Sequence, residues 1–260
     1  MKPNRLLKVF REGRVPIGHM ITDFGTRNIA QLLSVAGADF AIIDTEHGSF
    51  DLSQVADLAA WFRATDLTTI VRIPQITEQL RQAVSRVLDA GAAGVLVPDV
   101  KDAATAARVV EAAKYPPIGQ RGVGYTVAAD FLPIPGTEWM PFSNDNTLVI
   151  CMMESQEGVD NAEAIASVPG VGGLWVGHND MTRDLGIVGQ FQHPRFLDAV
   201  RHVCGVARRH GIPIGCQTLD PQQGQEWREL GFTMFSHGTD VALYLQSLKK
   251  GIAGFRELLA

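Results

Sequence analysis

Eight short, largely apolar runs recur along the chain, each followed by a stretch with helical periodicity. That alternation limits the possible folds more than any other feature. The runs are PIGHMI (16–21), FAIID (40–44), TTIVRI (68–73), GVLVP (94–98), LVICMM (148–153), GLWVG (173–177), IPIGC (212–216) and FTMFS (232–236). Short continuous apolar runs suit parallel strands covered on both faces. Between them, stretches such as DLSQVADLAAWFRA and PRFLDAVRHVCGVARRHG place apolar residues at i, i+3, i+4 and i+7, and several end in glycine. An additional helix, NRLLKVFREG, precedes the first run. Eight strands alternating with eight helices over 260 residues predict an α/β chain folded as one (β/α)8 barrel domain, residues 1–260. An open doubly wound sheet would normally carry a glycine fingerprint after its first strand, and GHMITDFG is not one. One connection is long. Residues 115–147 are rich in Pro and Gly and have the length of a functional lid or binding loop.

Composition removes several classes of function. Apolar residues make up 46% and charged residues 20% of the chain, as in an ordinary globular protein. A formal charge of −5 gives no basic footprint for nucleic acid or an anionic membrane. No window approaches the ~20 apolar residues of a membrane span. Cys151, Cys204 and Cys216 are far apart in sequence and form no C-x-x-C pair, which fits a reducing compartment. MKPNRLLKVFREG lacks the apolar stretch of a signal peptide, so a cytoplasmic location is expected.

In a barrel of this kind the active site lies at the C-terminal ends of the strands. Those ends are polar here: Asp44-Thr45-Glu46-His47, Arg72, Asp99, Glu154-Ser155, His178-Asn179-Asp180, Gln217-Thr218, and Ser236-His237 followed by Asp240. Solvated strand ends account for one or two of these. They account less well for an arginine inside IVRIP or a glutamate directly behind LVICMM. Glu154 and Asp180 lie about one βα unit apart and would project from neighbouring strands. Two carboxylates without a thiolate suit a hard divalent cation that keeps open positions for substrate oxygens; a pair of loop carboxylates is the alternative. His47 has the chemistry of a third metal ligand, a general base or a hydrogen-bonded loop residue. Arg72 expects an anion, either a protein carboxylate or a substrate oxyanion. RGVG (121–124) offers backbone N–H groups to a carboxylate, or is simply a turn. Arg208, Arg209 and His210 end a helix and suit its dipole. Trp61 and Trp227 read as packing residues. A Schiff-base mechanism needs a lysine at a strand end inside the barrel, and only Lys101 is near one.

These residues resemble the HpcH/HpaI aldolases, metal-dependent class II pyruvate aldolases that include 4-hydroxy-2-oxoheptanedioate and 2-dehydro-3-deoxyglucarate aldolases. The matching segments are FAIIDTEHGSFD, VRIP, LDAGAAGVLVPDV, AAKYPPIGQRGVG, ES after an apolar strand, and GLWVGHNDMTRDLG, from about residue 15 to residue 240. The resemblance implies a (β/α)8 barrel, usually a hexamer with a trimer as alternative, that exchanges its last helix between subunits. It implies a Mg²⁺, Mn²⁺ or Co²⁺ cofactor held by Glu154 and Asp180, His47 as base, and Arg72 steadying an enolate oxygen. Gly177 and Asn179 would meet the oxo-acid carboxylate. Asp89, matching an acid that raises the basicity of the histidine, reads as the end of a helix on the wrong face of its own barrel, so it would serve a neighbour's His47. The implied reaction joins or cleaves a small oxo acid, such as pyruvate or hydroxypyruvate, and an aldehyde. Related alternatives are an oxo-acid decarboxylase, a citrate-lyase-type CoA lyase and a catalytically silent oxo-acid-binding barrel. Two departures stand out: Met152 replaces a family glutamine, and GHND replaces GPAD, which is expected to bring bulkier polar groups, His178 and Asn179, into the carboxylate pocket.

Overall fold

The computed structural model describes residues 2–75, 78–131 and 136–260. Its eight parallel strands close into a barrel in sequential order. They are β1 (Ile17–Ile21), β2 (Phe40–Asp44), β3 (Thr68–Arg72), β4 (Gly94–Val97), β5 (Leu148–Met153), β6 (Gly173–Val176), β7 (Ile214–Thr218) and β8 (Met234–Thr239). The helices are α1 (Arg5–Arg11), α2 (Ile29–Val35), α3 (Leu52–Arg63), α4 (Leu80–Asp89), α5 (Ala103–Ala113), α6 (Gly136–Asn146), α7 (Gln156–Asp160), α8 (Ala162–Ala166), α9 (His178–Asp184), α10 (Pro194–His210), α11 (Pro221–Leu230) and α12 (Asp240–Leu259).

The last two strands begin two residues later than their apolar runs. Before each, the chain is still closing the previous helix: Ile212 N–H donates to the Ala207 carbonyl, and Phe232 N–H to that of Trp227. Pro213 has no N–H to give a ladder. GVDNAEAIASV divides at Asn161 into α7 and α8.

The period of two along each strand sorts side chains into two cores. Phe40, Ile42, Ile70, Leu96, Ile150, Met152, Trp175 and Met234 form one buried cluster with Leu6. Ala41, Ile43, Val71, Val95, Val149, Cys151 and Cys216 join the helices in the other. The first is the barrel interior, the second the shell between barrel and helices. Interior glycines make room for large rings. A Cβ on Gly18 would overlap the Phe40 ring, and one on Gly215 the Trp175 ring. Overpacking of this kind costs about 1–3 kcal/mol. Helix α1 plugs the N-terminal end: Leu6 is fully buried, and the Asn4 side chain donates to the carbonyls of Ala93 and Asn146.

The described residues of the long connection do not lie over the polar strand ends. They include a 3₁₀ turn (Val127–Ala129) and then α6. Residues 132–135 of it lie outside the described residues. Arg121 pairs with Asp89 at the C-terminus of α4 (2.6 Å), and Asp130 pairs with Arg63 at the C-terminus of α3. Helix C-termini in this fold precede the next strand, so this segment, RGVG included, sits toward the N-terminal end of its own barrel. Among the described residues no helix is long and apolar enough to cross a membrane.

Candidate active site

Asp44 follows Phe40 and Ile42 on the inward face of β2, and its register partner across the ladder is Arg72. That register places a carboxylate beside a guanidinium where the interior opens. Arg72 Nε donates to Asp44 Oδ1 (2.8 Å) and Nη2 to Oδ2 (2.5 Å). Asp44 is 0% exposed, so this two-pronged, charge-assisted pair is shielded from water. Nη1 reaches Glu46 Oε2 at 3.1 Å. Burial works against the Arg72 cation, but Asp44, Glu46 and Glu154 outweigh it and hold the guanidinium charged.

Asp44 also builds the turn that follows it. Its Oδ1 accepts from the N–H of Glu46 (3.0 Å) and of His47 (3.3 Å), an Asx arrangement that reverses the chain. Glu46 is thereby turned in toward Arg72, while the His47 side chain stays 64% exposed, its Nε2 4.0 Å from Glu46 Oε2. Gly48 closes the turn where a Cβ would overlap the Asp44 carbonyl oxygen and crowd that of Thr22. Gly48→Ala is therefore expected to destabilise the fold by about 1–3 kcal/mol, read by urea unfolding.

Glu154 takes the next inward position after Leu148, Ile150 and Met152 of β5. Met152 is in register with Trp175 of β6, so the residue facing Glu154 is Gly177. A Cβ on Gly177 would overlap Glu154 Oε2; the glycine is there to leave space for a carboxylate. The backbone N–H of Asp99 donates to Glu154 Oε1 (2.6 Å). Asp99 holds a left-handed conformation, φ 49°, which is costly for a residue with a side chain and recurs at functional sites. Burial, then Glu46 and Asp180, push the Glu154 carboxyl up to about 8. Burial likewise raises Glu46. Asp180 lies in the first turn of α9, partly exposed and 2.5 Å from Arg183 Nη1.

A carboxyl held protonated by burial beside two others marks a place where a cation would relieve crowded negative charge. Among the described residues no three His, Cys, Asp or Glu side chains form a closed metal cage. Two carboxylates with open positions is the donor set of a Mg²⁺- or Mn²⁺-type site, and Glu154 and Asp180 fit that group.

The two departures resolve differently. Met152 lies on the barrel floor, 2% exposed, its sulfur near Gly177. His178 does not enter the pocket as expected. Its ring packs edge to face on Phe191 (5.1 Å) and Trp227 (5.2 Å), and burial pushes it down to about 4, keeping it neutral. An imidazole with apolar neighbours within reach gains more from burial there than from the mouth of the site. Asn179 is exposed. Gly177 caps α9 without a side-chain hydrogen bond. Asp89 lies with Arg121 toward the far end of its own barrel from His47. Arg209 and His210 pair with Glu163, a structural clasp between α10 and α8. Glu46, Asp44 and the backbone of Asp99 belong to the site without having been assigned a role from sequence. For Glu46 the signal was in DTEH itself; the other two needed the register and the turn.

The HpcH/HpaI aldolase/citrate lyase family model matches residues 25–247 of the chain. The chain is 31% identical over 228 residues to a 5-keto-4-deoxy-D-glucarate aldolase from Klebsiella pneumoniae, covering 87% of each chain. To the Citrobacter koseri protein of the same name it is 29% identical over 256 residues, covering 98% of this chain and 97% of that one. The crystal structure of an HpcH/HpaI aldolase from Desulfitobacterium hafniense DCB-2 superposes with a TM-score of 0.92 at 32% identity, covering 98% of each chain.

Proposed function

The chain belongs to the HpcH/HpaI aldolase/citrate lyase family and is an aldolase, a carbon–carbon lyase, and on that premise we propose that it cleaves 4-hydroxy-2-oxo acids to pyruvate, or a close analogue such as hydroxypyruvate, and an aldehyde. One observation carries the reading. A fixed cation, Arg72, and a buried carboxyl pushed up to about 8, Glu154, share the C-terminal mouth of the barrel, with Glu46 coupled to both.

Glu154 and Asp180 would hold the divalent cation, Mg²⁺, Mn²⁺ or Co²⁺. Bound there, it would act as a Lewis acid toward an oxo-acid carbonyl. Arg72, its fork fixed by Asp44, presents positive charge where the keto oxygen gains negative charge, and electrostatic help there needs no reorganisation. His47 takes the proton of the C4 hydroxyl as the C3–C4 bond breaks. C4 leaves as the aldehyde, the bonding pair moves into the enolate, and a proton delivered to C3 completes pyruvate. Gly177 and the first turn of α9 leave room for the substrate carboxylate beside Glu154, with Asn179 at the rim. Asp89 is assigned to the His47 of a neighbouring subunit.

We read the assembly as a homo-oligomer, a hexamer, with α12 exchanged. The 20-residue α12 is buried only at Asp240 and exposes Tyr244, Leu245, Leu248, Ile252 and Phe255. A groove of about 930 Å³ outside the barrel, lined by Ile17, Phe235, Gly224 and Arg228, lies where an eighth helix would pack. Both features support exchange. The three cysteines are buried and unpaired, which supports the cytoplasm.

The test is pyruvate release from a panel of 4-hydroxy-2-oxo acids, with each metal and after chelation. No release with any metal would end this reading. His47→Ala is expected to cut turnover by ~10²-fold, the usual size of a general-base contribution, with metal binding retained by calorimetry. Loss of metal in that variant would make His47 a ligand instead.

A further inference from the structure

The first residue of α12 is bound not to its own helix alone but to the rim of the site. Asp240 is 6% exposed. Its Oδ1 accepts from Thr22 N–H (3.0 Å), Thr22 Oγ1 (2.6 Å) and Val241 N–H (2.9 Å). Its Oδ2 accepts from Asp23 N–H (3.0 Å) and Phe24 N–H (2.6 Å). One carboxylate thus gathers three successive backbone N–H groups of the loop after β1. Burial opposes the charge, but these bonds outweigh it and hold the carboxyl below its ordinary range. One turn further along α12, the Tyr244 ring meets Phe24 edge to face at 5.4 Å.

The gathered loop in turn holds the loop that carries Glu46 and His47. Ser49 N–H donates to the Thr22 carbonyl (3.0 Å), and Ser49 Oγ donates to Asp23 Oδ1 (3.0 Å). Gly25 lies against the Phe50 ring so closely that a Cβ would overlap it. On its other side the 44–49 turn is fixed by Asp44 and Arg72, and Thr45 Oγ1 donates to the Arg72 carbonyl (2.6 Å). The turn is therefore clamped between two supports, one at β3 and one that ends at Asp240.

We propose that Asp240 is a positioning residue: by tying the first turn of α12 to residues 22–24, it sets the 44–49 turn and so the aim of His47. The seating of α12 and the competence of the site become one cooperative unit. Thr239 already caps α12, its Oγ1 accepting from Ala242 N–H (3.2 Å); the three bonds from Asp240 to another strand's loop have no use in that role. The functional half of this inference rests on the proposed role of His47; the structural half does not.

Asp240→Asn keeps the shape, removes the charge and puts an amide NH2, a donor, in place of one of the two acceptor oxygens. Hydrogen–deuterium exchange is expected to quicken in residues 22–26 and 44–50, with 148–154 unchanged. Turnover of the best 4-hydroxy-2-oxo acid is expected to fall about tenfold or more, with its KM moving less than about twofold, since Arg72 and Glu154 stay in place. Thr22→Val, which deletes only the hydroxyl bond, is expected to move the same readouts less, and it serves if the Asn variant does not fold. Wild-type exchange in 44–50 with wild-type turnover would overturn the proposal. So would quickened exchange confined to 22–26 and α12, which would make Asp240 a tie between that loop and the helix and nothing more. If wild type itself releases no pyruvate, the aldolase reading fails, and exchange in 44–50 still decides whether Asp240 sets that turn.

Discussion

Glu154→Gln is expected to abolish metal-dependent turnover, by at least ~10²-fold, while making the metal-free protein more stable. The two effects have one cause. Glu154 is buried beside Glu46 and Asp180, and its carboxyl is pushed up to about 8. In the unfolded chain the same group has an ordinary carboxylate pKa, about 4.3. The folded state therefore prefers the protonated form. The contribution of Glu154 to stability is fully present below the unfolded value and is lost as pH rises toward the folded value. Each pH unit across that window costs about 1.4 kcal/mol, so the total is on the order of a few kcal/mol near pH 8. The amide of the variant is neutral at every pH and escapes the loss. The difference in melting temperature between Glu154→Gln and wild type, both metal-free, should be near zero at pH 4 and grow in favour of the variant up to pH 8. Added Mg²⁺ or Mn²⁺ should raise the wild-type melting temperature, because a ligand for the folded state stabilises it by mass action, and should leave the variant unmoved. Chelated wild type that stays fully active would remove the metal from the mechanism. A metal-free difference that is flat with pH would mean Glu154 stays ionised beside its neighbours.

Arg72 carries the second large effect. Arg72→Lys and Arg72→Ala are both expected to slow enolate formation by about 10²–10³-fold, the scale of removing a preorganised donor to a developing oxyanion. Lysine keeps the charge but not the planar fork. It cannot match both oxygens of Asp44 while still reaching Glu46, so the ammonium would settle on one partner and leave the other. The clean measurement is proton exchange at the methyl group of pyruvate in D₂O, which needs no aldehyde. Wild type with metal should exchange. Both variants should be slow even at saturating pyruvate, because an interaction gained as charge develops shows in turnover more than in binding. Normal exchange in both would reduce Arg72 to a partner for Asp44.

The two results also separate the site's parts. Glu154 directly follows β5 and Asp180 lies in α9, while Arg72 ends β3 and His47 lies in the turn after β2. A variant on one side should leave the other side's own readout intact: metal-induced stabilisation in the Arg72 variants, and the exchange pattern of residues 44–50 in Glu154→Gln.

Much of this was legible in the amino-acid order. Apolar runs at strand length, helical periodicity and terminal glycines predict the barrel, because local backbone preference and burial agree at nearly every element. Glu154 behind LVICMM and Arg72 inside IVRIP were legible for a related reason. A charge that ends an apolar strand must face the one polar opening the fold provides. Three things were decided only by tertiary structure. Which carboxylate Arg72 takes depends on the β2–β3 register, which sets Asp44 opposite it. Whether His178 enters the site depends on Phe191 and Trp227, from two later segments of the chain, offering its ring an apolar bed. That Asp240 reaches back to Thr22, Asp23 and Phe24 depends on barrel closure, which brings β8 against β1. Sequence reports what each segment prefers by itself; partners more than 200 residues apart are chosen only when the sheet closes.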